Sequence, residues 1–296
     1  MKNLSVENVY TRASAKELTK KYFWKLLGMM AIVFGIIYAI TLAGTALLTV
    51  IGNETVMIVG MIVLMLVMVP IACGLDLGML SAMIDLCRGE DVRVKHVFSR
   101  MGKSMKALGL GLWVSLKIFL WMLPGYLVVM VSAFFALRFV DTATGSVSEG
   151  AAALMTLLPV IGMILMYALV FPAVYRYMLS TYILADKPET GVFQSVRESK
   201  AMMKGHKWQA FKLVLPIILI MIVVILVLAV AMGAVMGLLA NTPAAMTILS
   251  IVLMVVLYAT MLYYMMRMYL CYALFYLKRV EEQNPTAEAV EAPYAE

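Results

Sequence analysis

Histidine is almost missing from this chain. His96 and His206 are its two histidines in 296 residues, each alone in a basic stretch, so a histidine-based metal site or catalytic triad has hardly any material. Cysteine is equally sparse. Cys73, Cys87 and Cys271 show no paired spacing and two of them fall inside apolar runs, which predicts buried reduced thiols and excludes a disulfide framework. Glycines beside lysines occur at Gly102 and Gly205, yet no phosphate-binding or dinucleotide glycine pattern is present. With neither a nucleophile and base at recognisable spacing nor a ligand cluster, no enzymatic activity and no cofactor are expected. Charge is scarce as well: 14% of residues are charged, where a soluble domain carries about 25%.

Apolar side chains fill the space. Hydrophobic residues make up 64% of the sequence and 28 of the residues are methionine, spread without clustering, as flexible packing filler would be. A helix crossing about 30 Å of hydrocarbon needs roughly 20 apolar residues, and six stretches qualify, at 24–51, 56–84, 107–140, 151–184, 213–240 and 246–277. The predicted fold class is therefore all-α, a polytopic membrane protein with six transmembrane helices. The first run is longer than the core of a signal peptide and follows some two dozen mostly polar residues, so no cleaved leader is expected. The net charge of +7 does not point to nucleic acid, because no soluble basic face or aromatic-basic signature accompanies it.

Those cations have a better use in orienting the chain. The links at 52–55, 141–150 and 241–245 contain no Lys or Arg, only Glu54, Asp141 and Glu149 as charges. The N-terminal segment holds Lys2, Arg12, Lys16, Lys20, Lys21 and Lys25. Arg88, Arg93, Lys95, Arg100, Lys103 and Lys106 lie in one long loop, and Lys187, Arg197, Lys200, Lys204, Lys207 and Lys212 in the other. By the positive-inside rule both termini are cytosolic.

A threefold repeat follows from the same punctuation. Ser14-Ala-Lys-Glu-Leu-Thr-Lys-Lys-Tyr-Phe-Trp, Ser99-Arg-Met-Gly-Lys-Ser-Met-Lys-Ala and Ser199-Lys-Ala-Met-Met-Lys-Gly-His-Lys-Trp each open a pair of spans. The endings Met79-Leu-Ser, Arg176-Tyr-Met-Leu-Ser-Thr and Arg267-Met-Tyr-Leu-Cys-Tyr rhyme too. One transmembrane domain, 1–280, would thus hold three hairpin units at about 5–84, 92–184 and 189–278, each led by a basic amphipathic interfacial helix; the acidic, Ala/Pro-rich stretch 281–296 reads as a disordered cytosolic tail.

The leading segments carry the functional expectation. Val192, Phe193, Val196 and Met203 recur at helical spacing with Arg197, Lys200, Lys204 and Lys207 largely off the stripe, and Val94, Val97, Phe98, Met101 and Met105 repeat the pattern. Such a helix lies in the interface with its cations over anionic headgroups, each contributing about 1 kcal/mol near an anionic surface. Anionic phospholipid is the expected partner, held by Arg197, Lys200, Lys204, Lys207, Trp208, Arg100, Lys103, Lys20 and Lys21, with Trp24 and Trp208 at headgroup depth. A membrane-protein partner or a homo-oligomer stays open. In the competing reading, the same segments dock on the protein's own cytosolic face.

Charges inside the apolar runs suggest a second function, that of a small transporter or exporter component. Asp76, Arg176 and Arg267 interrupt uncharged stretches near their cytosolic ends, where they either snorkel or meet as an intramembrane polar cluster. Lys117 and Arg138 interrupt the third run. Gly74 and Gly78 bracket Asp76 with a spacing that admits close approach, while Ala31, Gly35, Ala39 and Ala43, and Ala229, Gly233 and Gly237, read as packing seams. Pro70, Pro124, Pro172 and Pro216 would kink or start helices.

The run Tyr182-Ile-Leu-Ala-Asp-Lys-Pro-Glu through Ser199-Lys-Ala-Met-Met-Lys-Gly-His-Lys-Trp-Gln-Ala-Phe-Lys-Leu resembles a family of uncharacterised bacterial integral membrane proteins, mostly Gram-positive, known as a domain of unknown function. Ala15-Lys16 with Trp24, and Tyr272-Ala-Leu-Phe-Tyr, resemble the ends of that family. Pro216-Ile-Ile-Leu stands where the family carries an aromatic Gly-Trp pair. The resemblance implies a six-helix multipass protein of the bacterial plasma membrane and supplies no activity. The chain also resembles the membrane anchors fused to glycerophosphodiester phosphodiesterases, without their catalytic domain.

Overall fold

The computed structural model describes residues 4–139, 149–238 and 242–283. Nine α-helices account for most of them: α1 Leu4–Lys21, α2 Phe23–Ile51, α3 Glu54–Cys87, α4 Ser104–Phe139, α5 Glu149–Tyr177, α6 Ser180–Asp186, α7 Val192–Met202, α8 Lys207–Leu238 and α9 Pro243–Gln283. Two 3-10 turns, Val94–Phe98 and Met101–Lys103, join α3 to α4. Among the described residues no strand occurs. Six helical stretches are long and apolar enough to cross a membrane. The chain is a multipass membrane protein.

Three antiparallel hairpins, α2/α3, α4/α5 and α8/α9, form the frame. Between α2 and α3 the chain reverses at Gly52 and Asn53, and the Asn53 side chain accepts from the Val56 amide at 3.2 Å, capping α3. Each hairpin follows a helical segment at the basic end, but those segments differ: an 18-residue helix, a pair of 3-10 turns and an 11-residue helix. Most of the link expected at 141–150 lies outside the described residues. So does the tail expected at 281–296, except Glu281–Gln283, which continue α9.

The core sits at one end. Leu26, Met29, Leu75, Leu77, Met83, Ile84, Ile183, Leu213 and Leu270 are all buried, and all belong to the basic halves of their helices. Away from that end the helices spread, and the membrane-length windows are between 0 and 22% buried. Their outward surfaces are Val, Ile, Leu, Met and Phe, which hydrocarbon solvates as well as protein does. Close backbone contact there is seen within a hairpin. A Cβ on Gly125 would meet the Met166 amide nitrogen at 2.6 Å and the Gly162 carbonyl oxygen at 2.7 Å, so α4 and α5 touch backbone to backbone.

The fourth span, expected at 151–184, is matched by one membrane-length stretch, Met155–Asp186, in which a short turn at 178–179 separates α5 from α6 and Tyr182, Ile183, Leu184 and Ala185 are buried. The Ser180 hydroxyl donates to the Tyr177 carbonyl at this turn, competing with the helical ladder. The supposed small-residue seams are not filled within the chain, since nothing lies within 4 Å of a Cβ built on Gly35 or Gly233. The apolar stripes of the leading segments are divided: Val97, Val196 and Met203 are buried in the bundle, Val94, Met101 and Val192 are half-buried, and Phe193, Phe98 and Met105 stay exposed.

Candidate functional site

The side chains that carry chemistry gather at the basic end in two charged networks. In the first, the Glu7 carboxylate on α1 accepts from Lys278 Nζ at 2.8 Å and from Gln209 Nε2 at 2.9 Å. Arg279 Nη2 donates to Gln209 Oε1 at 2.7 Å and lies 3.8 Å from Glu7. Arg279 also pairs with Glu282 one turn on. His206 completes the arrangement, with Nε2 at 3.2 Å from Arg279 Nη1 and Nδ1 at 3.2 Å from Gln209 Oε1. A guanidinium only donates, so this geometry places Nε2 to accept from Arg279 and Nδ1 to donate to Gln209. Burial alone would raise the Glu7 pKa, but Lys278, Gln209 and Arg279 outweigh it and hold the carboxyl below its usual value.

In the second network Asp186, at the end of α6, accepts from Arg88 at 2.7 Å and from the Tyr276 hydroxyl at 2.8 Å. Asp85 meets His96 Nε2 at 3.0 Å and Arg88 at 3.6 Å. Burial weighs against the Arg88 cation, and the two aspartates reverse that and raise its pKa. These bonds tie α3, the first 3-10 turn, α6 and α9 together. Lys103 is drawn into a bridge to Glu189 at 2.9 Å, and Arg100 Nε donates to Ser81 Oγ at 3.3 Å. Lys25 pairs with Asp91 at 2.6 Å.

Of the residues expected to meet headgroups, Lys20, Lys21, Arg197, Lys200 and Lys204 are exposed and make no ion pair among the described residues. Lys207 is half-buried. Trp24 and Trp208 are 79% and 63% exposed, too open for core indoles. Trp208 is steadied from one side by Phe171 and Phe211, at ring distances of 5.6 and 5.5 Å. Arg100 and Lys103 are instead engaged within the protein, as described above.

Asp76, Arg176 and Arg267 have separate neighbours, and no ion pair joins them. The Asp76 carboxyl shares its surroundings with Tyr182 and Tyr269. Arg176 lies over the Trp121 ring at 5.4 Å. Arg267 is near Cys271, and its buried Nε has no acceptor among the described residues. Gly74 and Gly78 beside Asp76 do provide a close approach, to the 3-10 turns: a Cβ on Gly78 would lie 1.9 Å from the Val97 carbonyl oxygen. Cys73, Cys87 and Cys271 are free thiols.

Sequence reasoning missed Glu7, Asn8, Gln209 and Arg279. Gln209 lies 202 residues from Glu7, and nothing in the local pattern of either segment announces the other. The run Lys204-Gly205-His206-Lys207-Trp208 did stand out. Gly205 adopts φ +83°, the left-handed conformation that side chains other than glycine disfavour, and this turn aims His206 and Gln209 at Arg279.

An all-helical multipass architecture with its polar networks at one end defines the class of protein. Residues 11–276 match the family described as Protein of unknown function (DUF975), and the chain belongs to that family. No curated protein and no solved structure matches it.

Proposed function

We propose that this protein is a non-catalytic membrane organiser whose basic end lies on the cytosolic side of the bacterial plasma membrane and gathers anionic phospholipid. The observation that carries this reading is an imbalance of engagement. Glu7, Asp85, Asp91, Asp186 and Glu189 are bound in intramolecular ion pairs, leaving Glu17, Glu90, Glu198 and Glu281 as acids of this end outside one, whereas Lys16, Lys20, Lys21, Arg197, Lys200 and Lys204 stand exposed and outside any ion pair among the described residues. Bare cations beside exposed Trp24, Trp208 and Phe193 make a surface suited to headgroups. Cytosolic placement rests on the positive-inside rule. The three hairpin units, each led by a basic segment, would be copies of one lipid-contacting design.

The test is the lipid retained by the full chain after extraction and purification. Enrichment of phosphatidylglycerol or cardiolipin over phosphatidylethanolamine, reduced by K16Q/K20Q/K21Q with R197Q/K200Q/K204Q, is the expected result. Retained lipid with the bulk composition of the membrane would remove the reading. A transport pathway has its own supporting observation in Asp76, half-buried near Tyr182 and Tyr269 and outside any ion pair among the described residues. Asp76→Asn should then abolish a proton-coupled flux in vesicles while leaving lipid retention unchanged.

A further inference from the structure

We infer that the cleft between α1 and the start of α8 is a discrete binding site for the phosphate of one anionic phospholipid, gripped by Arg12 and Lys212. This deepens the proposal of a lipid-gathering basic end and rests on it, but it assigns the binding to residues outside the exposed lysine rows.

Asn8 and Arg12 stand four residues apart on α1, and Trp208 and Lys212 stand four apart on α8. Both spacings place a pair on one helix face, and the two faces line one cavity of about 290 Å³ with Gln209. Roughly 300–1,000 Å³ is usual for small-ligand pockets, so this space suits a headgroup and not a whole lipid. Arg12 and Lys212 make no ion pair among the described residues. The nearby Glu7 does not neutralise them, because its carboxylate is held by Lys278 and Gln209.

The walls are fixed before any ligand arrives. Asn8 Nδ2 donates to the Gln209 carbonyl at 3.2 Å, and the Gln209 side chain is locked by Arg279, His206 and Glu7. The helix segments that carry Arg12 and Lys212 are thus held together before binding, which lowers the cost of assembling the pair around an anion. An arginine also grips phosphate oxygens in a planar fork. A lipid is favoured over a free anion by position: α8 passes beyond Lys212 into its apolar span, and the exposed Trp208 indole flanks the cleft at the depth where indoles meet headgroups.

The test uses the full chain in phosphatidylcholine nanodiscs, with Trp24, Trp113 and Trp121 replaced by Phe so that Trp208 alone reports. A minority of phosphatidylglycerol brominated near the top of its acyl chains should quench Trp208 several-fold more than brominated phosphatidylcholine. R12Q/K212Q should lose this preference, R12K/K212R should keep most of it, and K95Q/K187Q, which removes two exposed charges away from the cleft, should leave it unchanged. Thermal unfolding matched to the parent would confirm that R12Q/K212Q is folded. A preference that survives R12Q/K212Q overturns the site while leaving the wider basic-end reading standing. Displacement of phosphatidylglycerol by millimolar inorganic phosphate overturns the lipid assignment in favour of a free anion. Absence of any preference in the parent chain removes both.

Discussion

Replacing Gly78 by alanine adds one methyl group at the tightest backbone contact in the basic half of α3. The added carbon would lie 1.9 Å from the Val97 carbonyl oxygen and 2.7 Å from its carbonyl carbon, whereas ordinary contact begins near 3.4 Å. The obstructing atoms are backbone, so no rotamer change relieves the clash. Val97 is wholly buried, and its turn is held by the amides of His96 and Ser99, each bonded at 2.9 Å. The turn must therefore shift by about 1.5 Å or α3 must back away. Overpacking of this kind costs about 3 kcal/mol at the upper end of its range, offset by about 1 kcal/mol from alanine's better helix propensity. Gly35→Ala supplies the control, because nothing lies within 4 Å of the new methyl and only the propensity gain remains. Equilibrium unfolding in detergent should place Gly78→Ala about 2 kcal/mol below the parent and Gly35→Ala up to about 1 kcal/mol above it. Equal stability of the two variants would refute the close approach of α3 and the turn.

Further outcomes follow from the charged networks and the hairpin turns. Because the folded Glu7 pKa is depressed, its contribution is fully present above the ordinary carboxylate range and is lost as pH falls through the lowered value. The protection factors of α1 amides, with the intrinsic pH dependence of exchange divided out, should therefore fall on acidification below about pH 4.5 in the parent and already be low at neutral pH in Glu7→Gln, and pH-independent protection of α1 would contradict the clamp. Arg279→Ala removes the guanidinium bonded to Gln209 Oε1 while Glu7 keeps Lys278 and Gln209 as donors, and should cost about 1.5 to 3 kcal/mol by the same unfolding assay, whereas a loss below about 0.5 kcal/mol would mean that Arg279 is not shared between α1 and α8. A cysteine placed at Asn53, in the exposed turn between α2 and α3, should react with an impermeant thiol reagent in intact cells while Cys87 does not; labelling of Cys87 alone would invert the proposed orientation.

The parts of this architecture that sequence makes visible are those with a local cause. Each of the six spans is a continuous apolar run, and Gly74 and Gly78 mark a close approach because small residues at that spacing leave room for a neighbour. What the neighbour would be was not visible: the surface meets a pair of 3-10 turns and not another helix. Gly35 and Gly233 show the converse, small residues with nothing against them. The turn at 178–179 between α5 and α6 lies inside a run of membrane length and hydropathy, so nothing in the apolar pattern marks it. The Glu7, Gln209 and Arg279 clamp was hidden for a different reason, since its partners come from α1, α8 and α9 and only the folded chain brings them together.

Placement of the core explains why polar bonds concentrate where they do. In hydrocarbon an exposed Leu or Val costs nothing, so the outer halves of the helices need little protein contact. Toward the basic end water becomes the competing environment, apolar burial again stabilises, and α6 and the inner faces of α1 and α7 close over it. Charged groups there can be solvated or paired, and pairing fixes which helix meets which. Asn8 and Gln209 belong at once to the clamp on α1 and to the wall of the α1/α8 cleft. Occupancy of that cleft and docking of α1 are consequently linked: a ligand bound only to the closed arrangement must tighten α1 by as much as α1 tightens the ligand.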